Sequence, residues 1–279
     1  MSVVYTLSLL NKLNLLSKQE QEAKLVKLHR EVLCDSLRGY FPQASLEEIQ
    51  QELLTRGLFN FSEIETLDEV LMELEGQHVW ETIQQEYDYL KQLWNGPDVP
   101  IFIYPLTKYR PIVDGVEVKK SGVSYNNVLF LFVSTELESM ELKALLAHEY
   151  HHLCRLAYLN KSPHEIELLD TLLIEGMAEW TVENLYGEKW LSPWTKRNSQ
   201  EEALKMWEKY FTPALKVKGV NNHFPFLYGN EVQGLPEWIG YSLGYKIVQS
   251  YMENRGIVHQ EYLHKLSSYE ILKGSVYKV

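Results

Sequence analysis

Apolar residues recur at three- and four-residue spacing in "EAKLVKLHREVLCDSL" (residues 22–37) and again in "ETLDEVLMELEGQHVWETIQQEYDYLKQLW" (residues 65–94). That is the period of helices that bury one face. Helical patterning stops at "NGPDVP", residues 95–100, where Asn, Gly and two prolines break the chain and mark a boundary. Short extended runs follow: "IFIYPL" (101–106), "PIVDGVEVKK" (111–120) and "NVLFLFVS" (127–134) read as strands of a small sheet. Helical spacing returns over residues 135–158, with Thr135 and Glu138 spaced as a capping box and Ser139 as an alternative start. Pro163 closes that element, and a second helix is expected over residues 164–185, stopping near Gly187. The remainder reads as helical except for "NNHFPFLYGNEVQGLPEW" (221–238), a long loop by composition. The expected fold class is α+β and predominantly helical. A mainly helical region covers residues 1–95, and a second region over 96–279 holds the small mixed sheet and a C-terminal helical part.

Composition narrows the classes of function. A chain of 279 residues that is 45% hydrophobic and 12% aromatic can bury a substantial core. Its longest uninterrupted apolar run, "VLFLFV", falls far short of the ~20 residues of a membrane-spanning helix, so no integral membrane segment is expected. The first twenty residues lack a basic leader and a small-residue cleavage site, which makes the expected location cytoplasmic. Two cysteines, Cys34 and Cys154, are too few and too far apart for a disulfide framework or a four-cysteine zinc knot. With 38 acidic against 27 basic residues the net charge is −11, which repels phosphate backbones and argues against nucleic acid as a partner. No glycine-rich phosphate loop of standard spacing is present, so nucleotide chemistry has no support.

Within "LLAHEYHHLC" (145–154), His148, Glu149 and His152 match H-E-x-x-H. Four residues are a little over one helical turn, so both imidazoles project from one face and can share one ion. Glu149 points toward the same cavity but off the metal, where it can hold a water. Chance supplies such a match in a chain of this length with a probability on the order of a few per cent, so context decides. The motif sits on an expected helix that follows an apolar strand, and the next helix carries "EGMAE". A catalytic zinc needs a third protein ligand and one open position. Glu175 and Glu179, four apart on one face, offer that ligand and a carboxylate to brace a ligand imidazole. Other zinc layouts fail on the letters: a metzincin needs Gly and His where Arg155 and Tyr158 stand, and the inverted motif needs its glutamate after the central pair. His151 offers an i, i+3 pairing with His148, at the expense of the role of Glu149.

"HEYHH" followed by "LIEGMAE" resembles the gluzincin metallopeptidases. With the later "GYSLGYKIVQSY", the pattern is most similar to a YjaZ-like family of predicted bacterial zinc-dependent proteases. The resemblance implies a zincin-like catalytic core with an H-E-x-x-H helix and a following glutamate-bearing helix. It implies one zinc ion per chain on His148, His152 and Glu175, with Glu149 as general base and Glu179 in the position of the acidic residue that braces a ligand histidine.

The expected function is therefore a zinc-dependent peptidase acting on peptides or unfolded polypeptides, in which Glu149 takes a proton from water and returns it to the leaving amine. A donor to the developing oxyanion is expected from Tyr241 or Tyr245, four apart in "GYSLGY", or from His223. Substrate backbone would pair with an exposed strand edge at "SGVSYNN" (121–127), where Gly122 permits close approach. The alternative class is a noncatalytic chaperone-like or regulatory protein with a structural metal, against which the intact Glu149 speaks. Nothing in the residue pattern bears on oligomeric state.

Overall fold

The computed structural model describes residues 2–110, 112–113, 116–256 and 260–278. The backbone divides into two compact units: Met1–Tyr89 with Asp98–Glu149, and Leu90–Pro97 with Tyr150–Val279.

Unit one begins with helices α1 (Leu7–Ser17), α2 (Glu22–Cys34), α3 (Leu46–Arg56), α4 (Leu67–Gly76) and most of α5 (Val79–Trp94). Local chemistry sets their ends. Ser45 and Glu48 form a reciprocal capping box that opens α3, and Gly57, at φ 122°, closes it. Five strands follow: β1 (Ile101–Pro105), β2 (Ile112–Val113), β3 (Val116–Glu117), β4 (Lys120–Tyr125) and β5 (Val128–Val133). The last and longest helix to enter this unit, α6 (Ser139–Leu159), contributes its first half.

The three-stranded sheet has the order β1-β5-β4, with β5 parallel to β1 and antiparallel to β4. Every residue of β1 and β5 is buried, as continuous apolar runs require. Edge strand β4 is only half-buried at each position. A two-residue loop, Asn126 and Asn127, joins β4 to β5 with Tyr125 opposite Val128. That register sets Gly122 opposite Leu131 and Ser124 opposite Leu129, so the two point to the same face. The pair β2 and β3 forms a separate antiparallel ribbon; Pro111, Asp114 and Gly115 of the expected 111–120 run lie outside the described residues. His29 and Cys34 of α2 are both fully buried in this unit.

Unit two takes the end of α5, where Trp94 stacks on Tyr150 at 5.7 Å between ring centroids, and the second half of α6. Its other helices are α7 (Leu168–Tyr186), α8 (Gln200–Met206), α9 (Phe224–Tyr228), α10 (Ile239–Arg255), α11 (Gln260–Leu263) and α12 (Ser268–Gly274). From Leu168 to Val182 every position of α7 except Glu175 and Trp180 is buried, the outcome expected where apolar residues lie on more than one side of a helix. It packs with α10 around a core that includes Leu172, Met177, Trp207, Phe211, Leu243 and Ile247. The two helices touch backbone to backbone: a Cβ on Gly176 would stand 2.1 Å from the Gly244 carbonyl oxygen, and one on Gly244 would stand 2.0 Å from that of Leu172.

The molecule is thus predominantly helical with a small three-stranded mixed sheet. Some boundaries differ from the pattern read in the sequence. α6 takes the alternative start read in the sequence, Ser139, rather than Thr135, and the Glu138 amide donates to the Glu141 carboxylate there. α7 starts at Leu168 rather than 164, because Ser162 and Glu165 close a turn of their own and extended Glu167 bridges to Lys218. The expected loop at 221–238 is instead a series of short helical turns containing α9. No described helix is long and apolar enough to cross a membrane.

Candidate metal centre

One turn of α6 separates His148 from His152, which places both imidazoles on the same side of a continuous helix. α7 supplies Glu175. One ligand atom from each of His148, His152 and Glu175 lies within 4.8 Å of the others, and all three side chains are half-buried. His152 Nε2 stands 3.5 Å from Glu175 Oε2. That exceeds the ~2.8 Å of a charge-assisted hydrogen bond. Two imidazoles and one carboxylate form a donor set suited to zinc. The residues fit the ion. His151 turns elsewhere: it is buried, with its ring edge-on to Trp94 at 5.6 Å and to His264 at 6.3 Å.

Glu149 is buried, at 7% exposure, and its side chain lies against β4. The Ser124 hydroxyl lies 2.7 Å from Glu149 Oε2 and 2.8 Å from the Glu149 carbonyl oxygen. A Cβ on Gly122 would stand 2.4 Å from Glu149 Cγ and 2.6 Å from Oε1. The space beside Gly122 is thus taken by the Glu149 side chain. Ser124 was not singled out in the sequence, although its position two residues after Gly122 on an extended run places both on one face.

Glu179, at 2% exposure, accepts from the Ser192 amide at 2.9 Å and from the Ser192 hydroxyl at 2.5 Å. Its carboxylate thereby holds the segment that follows α7. A second network ties α6 to α7 through α12. Fully buried Arg155, three residues after His152, donates to the carbonyls of His264 and Leu266 and to the Ser268 hydroxyl. Ser268 in turn donates to Asp170 Oδ1 at 2.6 Å, and Lys161 pairs with Asp170 Oδ2 at 2.6 Å. Burial draws the Arg155 pKa down to about 10, opposed by Asp170. Burial alone would raise the Asp170 carboxyl, but the Lys161 and Ser268 hydrogen bonds outweigh it and hold it below the ordinary value. No sequence motif signals this network, because its members lie up to 113 residues apart.

The expected oxyanion donors have partners of their own. Tyr245 donates to Glu183 Oε2 at 2.6 Å, and burial together with that carboxylate raises its pKa well above the tyrosine range. Tyr241 donates to the Tyr228 hydroxyl at 3.1 Å, within a group of rings that includes Trp194 and Trp238. His223 is fully buried, with Nδ1 2.8 Å from the Thr171 hydroxyl and Nε2 2.8 Å from the Val217 carbonyl oxygen. Both its nitrogens serve packing between α7 and the 217–223 segment.

The family model described as "Predicted Zn-dependent protease (DUF2268)" matches residues 79–273. The chain is 37% identical over 171 residues to the uncharacterized protein YjaZ of Bacillus subtilis (strain 168), an alignment covering 61% of this chain and 65% of YjaZ. It is 30% identical over 128 residues to the uncharacterized protein YjfC of the same organism, covering 43% of this chain and 42% of YjfC. Each alignment spans less than two thirds of the relative's own length. No solved structure matches the chain.

Proposed function

The chain belongs to the YjaZ-like family of predicted Zn-dependent proteases, and on that footing we propose that it hydrolyses peptide bonds at one zinc ion held by His148, His152 and Glu175. The observation that carries this reading is the convergence of those three side chains on helices α6 and α7, with buried Glu149 next to the first ligand. Residues 96–279 then form a zincin-like catalytic region in which the H-E-x-x-H helix is followed by the glutamate-bearing helix, the gluzincin order. When bound, zinc would supply Lewis acidity, lowering the pKa of a water to about 7 and polarising the scissile carbonyl.

Glu149 accepts the proton of the attacking water and passes it to the amine nitrogen as the C–N bond breaks. Glu179, one turn beyond Glu175, is the carboxylate that would accept from a ligand imidazole and fix its orientation, in addition to its bonds from Ser192. Tyr241 and Tyr245 are the donors available on α10 for the developing oxyanion. Tyr241 is the easier to redirect, because it donates to another hydroxyl whereas Tyr245 donates to a carboxylate. An extended peptide or unfolded polypeptide suits the edge of β4, where main-chain groups can add a strand.

Elemental analysis of protein purified without chelator or affinity metal tests the ligand set. About one zinc per chain is expected, lost in Glu175→Ala. Glu149→Gln keeps the metal and loses turnover of a fluorogenic peptide by about 100- to 10,000-fold, the range of a general base. A chain that takes up no zinc at micromolar concentration would overturn the reading and leave a noncatalytic protein of the same family.

A further inference from the structure

The contact between β4 and Glu149 is more specific than packing requires. Ser124 is half-buried on the edge strand, and its hydroxyl meets two acceptors of the same residue, the Glu149 carboxylate at Oε2 and the Glu149 carbonyl oxygen, at 2.7 and 2.8 Å. A serine hydroxyl has one proton, which these two acceptors share in a three-centre bond. The carboxylate is thereby fixed relative to its own backbone as well as to the strand. Two residues earlier the strand carries no side chain: Glu149 Cγ, Cδ and Oε1 occupy the volume that a Cβ at position 122 would need. Among the described residues no hydrogen bond is made to Oε1, so the two oxygens are unequal. Oε2 is committed to Ser124, and Oε1 stands over Gly122.

The geometry points to Ser124 as a positioning residue for the general base: it holds Glu149 through Oε2 and leaves Oε1 as the oxygen that takes the proton from water, with Gly122 providing the space. This rests on Glu149 being the base. A charge-assisted hydrogen bond from a hydroxyl narrows the rotamers of a long glutamate side chain. A base misplaced by about 1 Å can lose 100-fold in rate. The effect belongs to turnover: Ser124 touches neither His148, His152 nor Glu175 through any hydrogen bond of its own, so the metal set does not depend on it.

Ser124→Ala, Ser124→Thr and Glu149→Gln decide the matter, assayed on one fluorogenic peptide chosen from a random mixture as cleaved by the wild type. In Ser124→Ala, kcat is expected to fall about 10- to 100-fold, the cost of losing a partner that orients a site group, with KM and zinc content unchanged. Ser124→Thr, which keeps the hydroxyl, restores most of kcat. Wild-type kcat in Ser124→Ala, alongside an inactive Glu149→Gln, overturns the positioning role alone. An active Glu149→Gln overturns the base assignment beneath it. Crystal structures of metal-free wild type and Ser124→Ala supply a readout independent of turnover. The Glu149 carboxylate should leave its place over Gly122 in the variant, and finding it unmoved overturns the proposal.

Discussion

His29 has both ring nitrogens engaged in the core of the first unit. Nε2 lies 3.0 Å from the Phe59 carbonyl oxygen and Nδ1 lies 2.8 Å from the Gln50 amide nitrogen, an arrangement that the neutral Nε2–H tautomer satisfies. Burial, only partly offset by the Phe59 carbonyl, pulls its pKa from 6.5 to about 4. The unfolded chain therefore takes up the proton first as pH falls. Its contribution to stability is full above 6.5 and drains away toward 4, amounting to a loss of about 2 kcal/mol by about pH 5. An NMR titration of the His29 ring should stay flat between pH 7 and 5; a midpoint near 6.5 would contradict the buried neutral state. Residues of this kind divide sharply by how legible they are. His148, Glu149 and His152 stand out because one helical turn encodes their geometry, whereas Ser124 meets Glu149 across 25 residues through strand register. The His29 contacts with Gln50 and Phe59 cross 21 and 30 residues and have no periodic signature.

Helices α7 and α10 show what an element owes to its neighbour. Gly176 follows Glu175 directly, and its bare Cα lets the Gly244 backbone reach the helix that carries this carboxylate. Neither carbonyl can retreat without moving its whole helix. Gly244→Ala should therefore cost about 1–3 kcal/mol through overpacking, read as a lower denaturation midpoint. The same change at exposed Gly39, where an added Cβ meets nothing within 4 Å, should leave the midpoint in place. Equal midpoints for the two variants would mean that the helices can slide apart without penalty. The existence of α7 is plain in the sequence, and so is its end at Gly187, which has φ 98°. Its start is not, because Glu167 stays extended to pair with Lys218, 51 positions away. The crossing with α10 is equally silent, since "EGMAE" and "GYSLGY" mark glycines without saying that they meet.

At the scale of the whole chain, each unit is assembled from two separated segments. The break at "NGPDVP" is legible as a turn, but its partner is not. Gly96 leaves room for the Tyr150 hydroxyl and Cys154 Sγ, and Tyr150 donates to the Pro97 carbonyl oxygen from 53 residues away. Those contacts give the short 90–97 segment its place in the second unit. They also enclose a thiol. Cys154 is buried there and Cys34 is buried in the first unit, and burial pushes both pKa values up to about 12. The chain consequently carries one silent clock in each unit. An alkylating reagent at neutral pH can reach a thiolate only while the surrounding unit is open, so labelling at each cysteine, counted by mass spectrometry, times that opening. Both should label about 1,000-fold or more slowly than a free thiol, as core groups do when opening is rare. Matched rates would mean that the two units open equally often, and unmatched rates would rank them by their own local stability.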